Sequence, residues 1–332
     1  MPKYKSSIYL ELASAYIELN KYKNANSICN EILKSETTDK EILGRAQNLL
    51  GISNMYYNAD LNITLSYFKE AHKTYTSINS FNRIAGSEVN LGNIQNILGN
   101  FSRAEKHWNK ALQLNRSIGN VEQEADVLMN NGIFYYEHAY FEKAVEVYKK
   151  ASLIFQGLGN KLKYGLAFYN LAETYIEICE FQKAYDSIKI ARNIFEELNN
   201  SDKIVELLLL EAKLYMMISN NKAFEKTIEE IQEYLPIKTE RGKLLLQYYS
   251  LYIDKNNSGL WDLERLNVIK KGFASNNDRL LAAELQFLLA DEYNKKKEYG
   301  ISISMLHSKM LTDICEFNSK NEAHRLYLLS KI

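Results

Sequence analysis

Apolar and small residues recur at three- and four-residue intervals along the chain, the spacing of a helix face buried against its neighbours. Short polar stretches interrupt this pattern at regular steps. In the middle of the chain the pattern repeats itself. Asn90-Leu91-Gly92, Phe101, Ala104 and Ala111 return forty residues later as Asn130-Asn131-Gly132, Phe141, Ala144 and Ala151. A further forty residues bring Asn170-Leu171-Ala172, Phe181, Ala184 and Ala191. Columns that keep one spacing without a slip predict a repeated structural unit.

Each unit reads as two helices, A and B. The polar turn near Asn100, Tyr140 or Glu180 separates them. The Gly-Asn pairs at 119–120 and 159–160 end helix B, where a left-handed residue suits Gly or Asn. Gly92, Gly132 and Ala172, with Ala104, Ala144 and Ala184, fall where two helices cross closely, because a larger side chain would push the backbones apart. The approximate repeats are 5–40, 41–80, 81–120, 121–160, 161–200, 201–238, 239–278 and 279–318, read as a single domain over 1–332. The seventh, around Leu246 to Ile269, is degenerate. A terminal helix is expected at 320–332, either a cap or the first half of a further repeat in a longer protein.

Composition removes alternatives. Two prolines and 14 glycines in 332 residues are too few for a β-sandwich or a loop-rich α/β enzyme. Hydrophobic and charged contents of 46% and 25% describe an ordered chain. With 41 basic and 41 acidic residues, the zero formal charge argues against broad binding to nucleic acid or an acidic membrane. Glu11 interrupts the first apolar stretch, so no leader is read there, and the run Ile204 to Ile218 carries Glu206, Glu211 and Lys213. Cys29, Cys179 and Cys315 stand far apart and read as reduced core fillers, which points to the cytoplasm.

No local motif carries catalysis. His72, His107, His138, His307 and His324 fall in different units without metal-ligand spacing, and read as surface or packing residues. Gly157, Gly159 and Gly165 follow no strand and mark a repeat end, not a phosphate loop. The expectation is a non-enzyme without cofactor or metal.

The aromatic and Leu-Gly positions on helix A, followed by Ala, a bulky residue and Ala on helix B, resemble the tetratricopeptide repeat. Phe168, Leu171, Ala172, Tyr175, Ala184, Ile188 and Ala191 carry the pattern, as do Tyr9, Leu12, Ala13, Tyr16 and Ala25. The period of about 40, against about 34 in the family at large, is similar to that of the long-repeat subclass of Pins-type scaffolds, kinesin light chains and bacterial regulators. The resemblance implies an all-α, right-handed α-solenoid of about eight helix-turn-helix repeats plus the terminal helix. It implies that helix A lines a concave groove, the default place for a peptide or partner protein.

The positions that the resemblance points inward are Arg45 and Asn48; Asn90, Asn93 and Asn96; Asn130, Ile133, Tyr136 and Glu137; and Asn170, Glu173 and Glu177. Asn90, Asn130 and Asn170 form a column whose amides either hold a peptide main chain or stabilise neighbouring helices. Val89, Met129 and Tyr169 leave no basic clamp for a C-terminal carboxylate. Tyr135-Tyr136, Tyr248-Tyr249 and Trp108 are candidate anchors, with one ring of each Tyr pair packing and the other facing groove or solvent. The first expectation is therefore a protein-interaction scaffold. The alternative is a ligand- or peptide-sensing module of a larger bacterial regulator. Self-association through the terminal helices is a further candidate.

Overall fold

The computed structural model describes residues 3–35, 39–57, 60–276, 278–308 and 325–331. Among these there are sixteen helices of eight residues or more and no strand. The chain divides into two compact units, Met1–Asn131 and Gly132–Ile332. The first holds α1 (Lys3–Glu18), α2 (Tyr22–Lys34), α3 (Lys40–Tyr56), α4 (Leu61–Ser77), α5 (Phe81–Ile97) and α6 (Phe101–Ser117). The division falls inside α7 (Val121–Glu137). The second unit continues with α8 (Phe141–Gly157), α9 (Lys161–Glu177), α10 (Phe181–Glu197), α11 (Ser201–Met217), α12 (Asn221–Gln232), α13 (Glu240–Ser258), α14 (Leu263–Ser275), α15 (Arg279–Lys295) and α16 (Tyr299–Leu306). In each unit consecutive helices pack in pairs, the α-solenoid pattern.

The forty-residue step has a simple origin. From α5 to α11 every helix has 17 residues, and three-residue turns join them. Each turn holds one residue with left-handed backbone: Gly99, Gly119, Ala139, Gly159, Cys179 and Asn199 all have φ between 49° and 76°. The residue after it donates its N–H back across the helix end, as Asn100 does to Gln95 O at 2.8 Å and Glu180 to Tyr175 O at 2.9 Å. These bonds satisfy carbonyls that the last helical turn leaves unpaired.

Helix pairs interlock through matched sizes. Where helix B carries an aromatic ring, helix A has glycine: a Cβ on Gly51, Gly92 or Gly132 would overlap Phe68, Trp108 or Tyr148. At the same column, Ala172 goes with Ile188, Ala212 with Ile228 and Ala13 with Cys29, all six buried. Small residues on helix A thus face large ones on helix B, and larger ones on A face smaller ones on B, the size matching that close helix packing requires.

Several expected roles change. The degenerate seventh unit still forms a helix pair, α13 of 19 residues and α14 of 13, off the regular 17-residue pattern. Thr239 caps α13 by accepting from Gly242 N–H at 3.2 Å, and left-handed Gly259 ends it. Tyr248 and Tyr249 are both buried, and Tyr249 contributes to the lining of a cavity in the second unit. Tyr248 stacks on Trp261 at 6.1 Å, and Tyr249 donates its hydroxyl proton to Leu209 O at 2.8 Å. Trp108 is core, with its indole N–H on Asn93 Oδ1 at 3.1 Å. Cys29 is the expected core filler, its thiol pushed up to about 12 by burial. Cys179 is not: it is an exposed turn residue, because the left-handed site between α9 and α10 falls on it. Cys315, His324 and residues 320–324 and 332 of the expected terminal helix lie outside the described residues. Within 325–331, Leu328 and Leu329 pack beside Phe287 and Leu306 of α15 and α16.

Candidate functional site

The second unit contains a cavity of about 210 Å³ lined by its odd-numbered, A-type helices. Tyr136 comes from α7, Tyr169, Glu173 and Glu177 from α9, and Glu206 and Lys213 from α11. Arg241 and Tyr249 come from α13, and Asp278 and Glu284 from the start of α15. Residues i and i+4 of one helix share a face, which is why Glu173 and Glu177 of α9 reach the cavity together.

Two cations tie the walls. Arg241 donates to Glu173 Oε1 at 3.0 Å and to Asp278 Oδ2 at 2.7 Å. Lys213 donates to Glu177 Oε1 at 2.7 Å and lies 3.5 Å from Glu284 Oε1. The Arg241–Glu173 tie joins α13 to α9, and the Lys213–Glu284 tie joins α11 to α15, so A helices two repeats apart are held together. Glu206 pairs with Lys203 of its own helix at 2.6 Å. Five carboxylates thus line a space with two cations.

The electrostatics follow from that imbalance. Burial pushes the Glu173 carboxyl above the ordinary carboxylate range, although Arg241 and Lys213 pull it down. Burial does the same to Glu284 against the pull of Lys213. Burial works against the Lys213 ammonium, but Glu284 and Glu177 overcome it and hold its pKa well above the ordinary value. Tyr136 is also raised, first by burial and then by Glu173 and Glu177, so it stays a neutral hydroxyl. The cavity therefore holds more carboxylates than cations, and a further cation there would favour the ionised form of the Glu173 and Glu284 carboxyls.

Of the residues singled out in the sequence, Tyr136, Tyr169, Glu173, Glu177 and Tyr249 meet in this cavity. Glu137 and Ile133 are exposed and are not in its lining. In the first unit Asn90 donates to Asn48 Oδ1 at 2.8 Å, so two members of the amide set bond each other. Asn93 accepts from Trp108, and the Asn96 amide oxygen is buried without a hydrogen-bond partner. Arg45 is paired with Glu11 at 2.7 Å. Asn130 and Asn170 are half-buried. Lys213, Arg241, Asp278 and Glu284 were not foreseen. Lys213 lies forty residues after Glu173, so the repeat column itself pointed to it. Arg241 and Asp278 escape that logic because the seventh repeat breaks the period.

A second polar cluster sits in the first unit. Glu88 of α5 is buried between α4 and α6, with Oε2 2.5 Å from His107 Nδ1. His72 Nε2 and Lys110 Nζ both lie 3.8 Å from Glu88 Oε1. Histidines that the sequence scatters over separate repeats are thus neighbours. Among the described residues no group of three or more His, Cys, Asp or Glu is placed to hold a metal ion. None of their helices is long and apolar enough to cross a membrane.

Comparison with known proteins agrees with the architecture. The tetratricopeptide repeat family model matches residues 6–38, the segment that begins the array of helix pairs. A Rap protein complexed with competence and sporulation factor is 12% identical, with a TM-score of 0.63, covering 97% of this chain and 100% of that one. Aspartyl phosphate phosphatase F from Bacillus subtilis is 11% identical, with a TM-score of 0.62 and coverages of 96% and 94%. The apo form of the quorum sensor NprR from B. thuringiensis is 10% identical, with a TM-score of 0.64 and coverages of 94% and 87%. At these identities the likeness is one of fold. No curated protein matches the chain.

Proposed function

We propose that this protein is a non-enzymatic interaction scaffold that binds an extended peptide or partner segment along its A helices. Its anchor is the cavity of the second unit, which takes a cationic group: a lysine or arginine side chain, or an N-terminal ammonium. The observation that carries this reading is four carboxylates, Glu173, Glu177, Asp278 and Glu284, sharing two cations around one cavity, with a fifth, Glu206, paired to Lys203 outside it. A cation entering there completes a charge set that the protein leaves open. Tyr136 and Tyr169 add ring surface beside it. Isothermal titration with short peptides tests the reading. Peptides bearing Lys or Arg are expected to bind, and matched peptides with neutral replacements to bind at least about tenfold more weakly. Glu284→Gln is expected to weaken only the cationic set. Equal affinity for both sets overturns the anchor.

A second reading, a peptide-responsive sensor, is favoured by the ties themselves. Glu173 and Glu284 each join helices two repeats apart. A cation that competes for those carboxylates would loosen the ties and change the curvature of the unit. The similar Rap and NprR structures, one complexed with competence and sporulation factor and one named a quorum sensor, fit such a role. A ligand-dependent change in small-angle scattering is expected. An unchanged profile at saturating peptide leaves only the passive scaffold.

A further inference from the structure

The two cations of the cavity are held in different ways. Arg241 spans two carboxylates, at 3.0 Å to Glu173 and 2.7 Å to Asp278. Its guanidinium is a rigid plane, so bonds to both acids fix it in place. Lys213 is a point charge on a flexible stem. It makes one bond of ordinary length, 2.7 Å to Glu177, while its contact with Glu284 is stretched to 3.5 Å.

Glu284 is the loose member of that set. Its side chain is 42% exposed, against 13% for Glu177 and 16% for Lys213. It is therefore the carboxylate that a group entering from solvent can reach while Lys213 stays on Glu177. Leu210, Leu245 and Leu281 give the same cavity an apolar wall. A methylene stem lies well against such a wall while its charged head stays on a carboxylate. What Lys213 occupies is thus a seat for a primary ammonium on a short alkyl chain. The repeat itself supplies that occupant, since the column that holds Glu173 in α9 holds Lys213 in α11.

Resting on the anchor read above, we propose that Lys213 is a tethered competitor for the ligand: the seat between Glu177 and Glu284 takes a primary ammonium, and a lysine side chain or N-terminal ammonium binds by taking Glu284 from Lys213. A lysine that only supports the cavity would strengthen binding or leave it alone. A competitor weakens it, so its removal tightens binding.

The full chain carrying Lys213→Ala tests this. n-Propylammonium reproduces the part of the side chain that the substitution removes. In thermal unfolding, n-propylammonium chloride is expected to raise the midpoint of Lys213→Ala and leave the wild type unmoved. Tetramethylammonium chloride at the same concentration carries the charge but donates no hydrogen bond, and is expected to raise neither. In isothermal titration the lysine-bearing peptides are expected to bind Lys213→Ala at least about tenfold more tightly than the wild type. Lys213→Gln keeps a donor for Glu177 without the charge, and is expected to show the same gain if Lys213→Ala does not fold. No rescue by n-propylammonium, or equal rescue by tetramethylammonium, overturns the seat. Peptide binding that is unchanged or weakened in both variants overturns the competitor and leaves the anchor standing where the wild type binds. Binding by none of the three overturns both.

Discussion

The two units use one helical scaffold but treat the polar residues of their A helices in opposite ways. In the first unit those residues are answered by close partners: Asn48 by Asn90, Arg45 by Glu11, Arg83 by Glu41 at 2.9 Å, and Glu88 by His107 of the B helix α6. In the second unit they surround a cavity and leave carboxylates in excess. Satisfied polar pairs add order and little else, because each partner has exchanged water for an equivalent bond. Unbalanced charge near a cavity has an unmet demand, and a ligand can supply it. On the proposed function, the contrast separates the part of the array that holds shape from the part that offers an anchor for a partner.

The largest break in that contrast is expected at Lys213. Lys213→Met leaves Glu177 and Glu284 without their cation in a half-enclosed site, which should cost about 2–4 kcal/mol of stability. Arg45→Met in the first unit should cost under about 1 kcal/mol, because Glu11 is 70% exposed and water replaces the guanidinium. Urea unfolding of the two variants measures both. Equal costs would remove the distinction between the units.

Packing is the next level. Gly92→Ala puts a methyl group into the Trp108 ring and should cost about 1–3 kcal/mol. Pairing it with Trp108→Ile recreates the Ala-with-Ile match of Ala172 and Ile188, and should recover most of the loss if size matching is the rule. A double variant no better than Gly92→Ala alone would show that the Trp108–Asn93 bond matters more.

Acid sharpens the comparison by moving the units in opposite directions. Burial works against ionised Glu88, but the His107 bond and the charges of His107, His72 and Lys110 hold its carboxyl below the ordinary value. Burial also lowers the His72 pKa, against the pull of Glu88. Lowered folded values give stability that is present above the unfolded pKa and lost as pH falls through the folded one. Glu173 and Glu284 have raised folded values, so their contribution is complete below the unfolded pKa and is lost as pH rises through the folded one. Between neutrality and about pH 4.3 the α9–α15 region should gain protection in hydrogen exchange while α4–α5 loses it as His72 charges. Binding of a cationic peptide should weaken over the same window, since protonated Glu173 and Glu284 attract it less. Glu284→Gln should flatten that dependence.

The helix pairs were legible in the sequence because repeat packing writes its columns locally: Gly92, Ala104 and Ala111 recur at fixed steps and fall at the crossings. The cavity was half legible. Glu173 and Glu177 share a helix face with each other, so periodicity brings them together. Arg241 and Asp278 meet Glu173 from helices further along the array, and a seventh repeat with altered spacing hides their register. The Glu88 cluster escaped for a similar reason, since His72 and His107 approach from different B helices. Residues of one helix announce their shared face, whereas residues joined by the sum of several helix rotations do not.

The smallest prediction concerns the turn that the columns did not foresee. Cys179 holds the left-handed position at φ 60°, where Gly99, Gly119 and Gly159 sit in the equivalent turns. A side chain there crowds its own backbone by about 1 kcal/mol. Glycine would relieve that crowding, but it also frees the unfolded chain, which returns part of the gain. Cys179→Gly should therefore raise stability by about 0.5 kcal/mol, measured as a small rise in the urea midpoint at unchanged slope. Its partner test is Gly99→Ala in the first unit, which should lose a similar amount. If both variants destabilise, Cys179 contributes contacts beyond its turn. If Gly99→Ala alone is neutral, the turns of the two units differ in strain as their A-helix faces differ in charge.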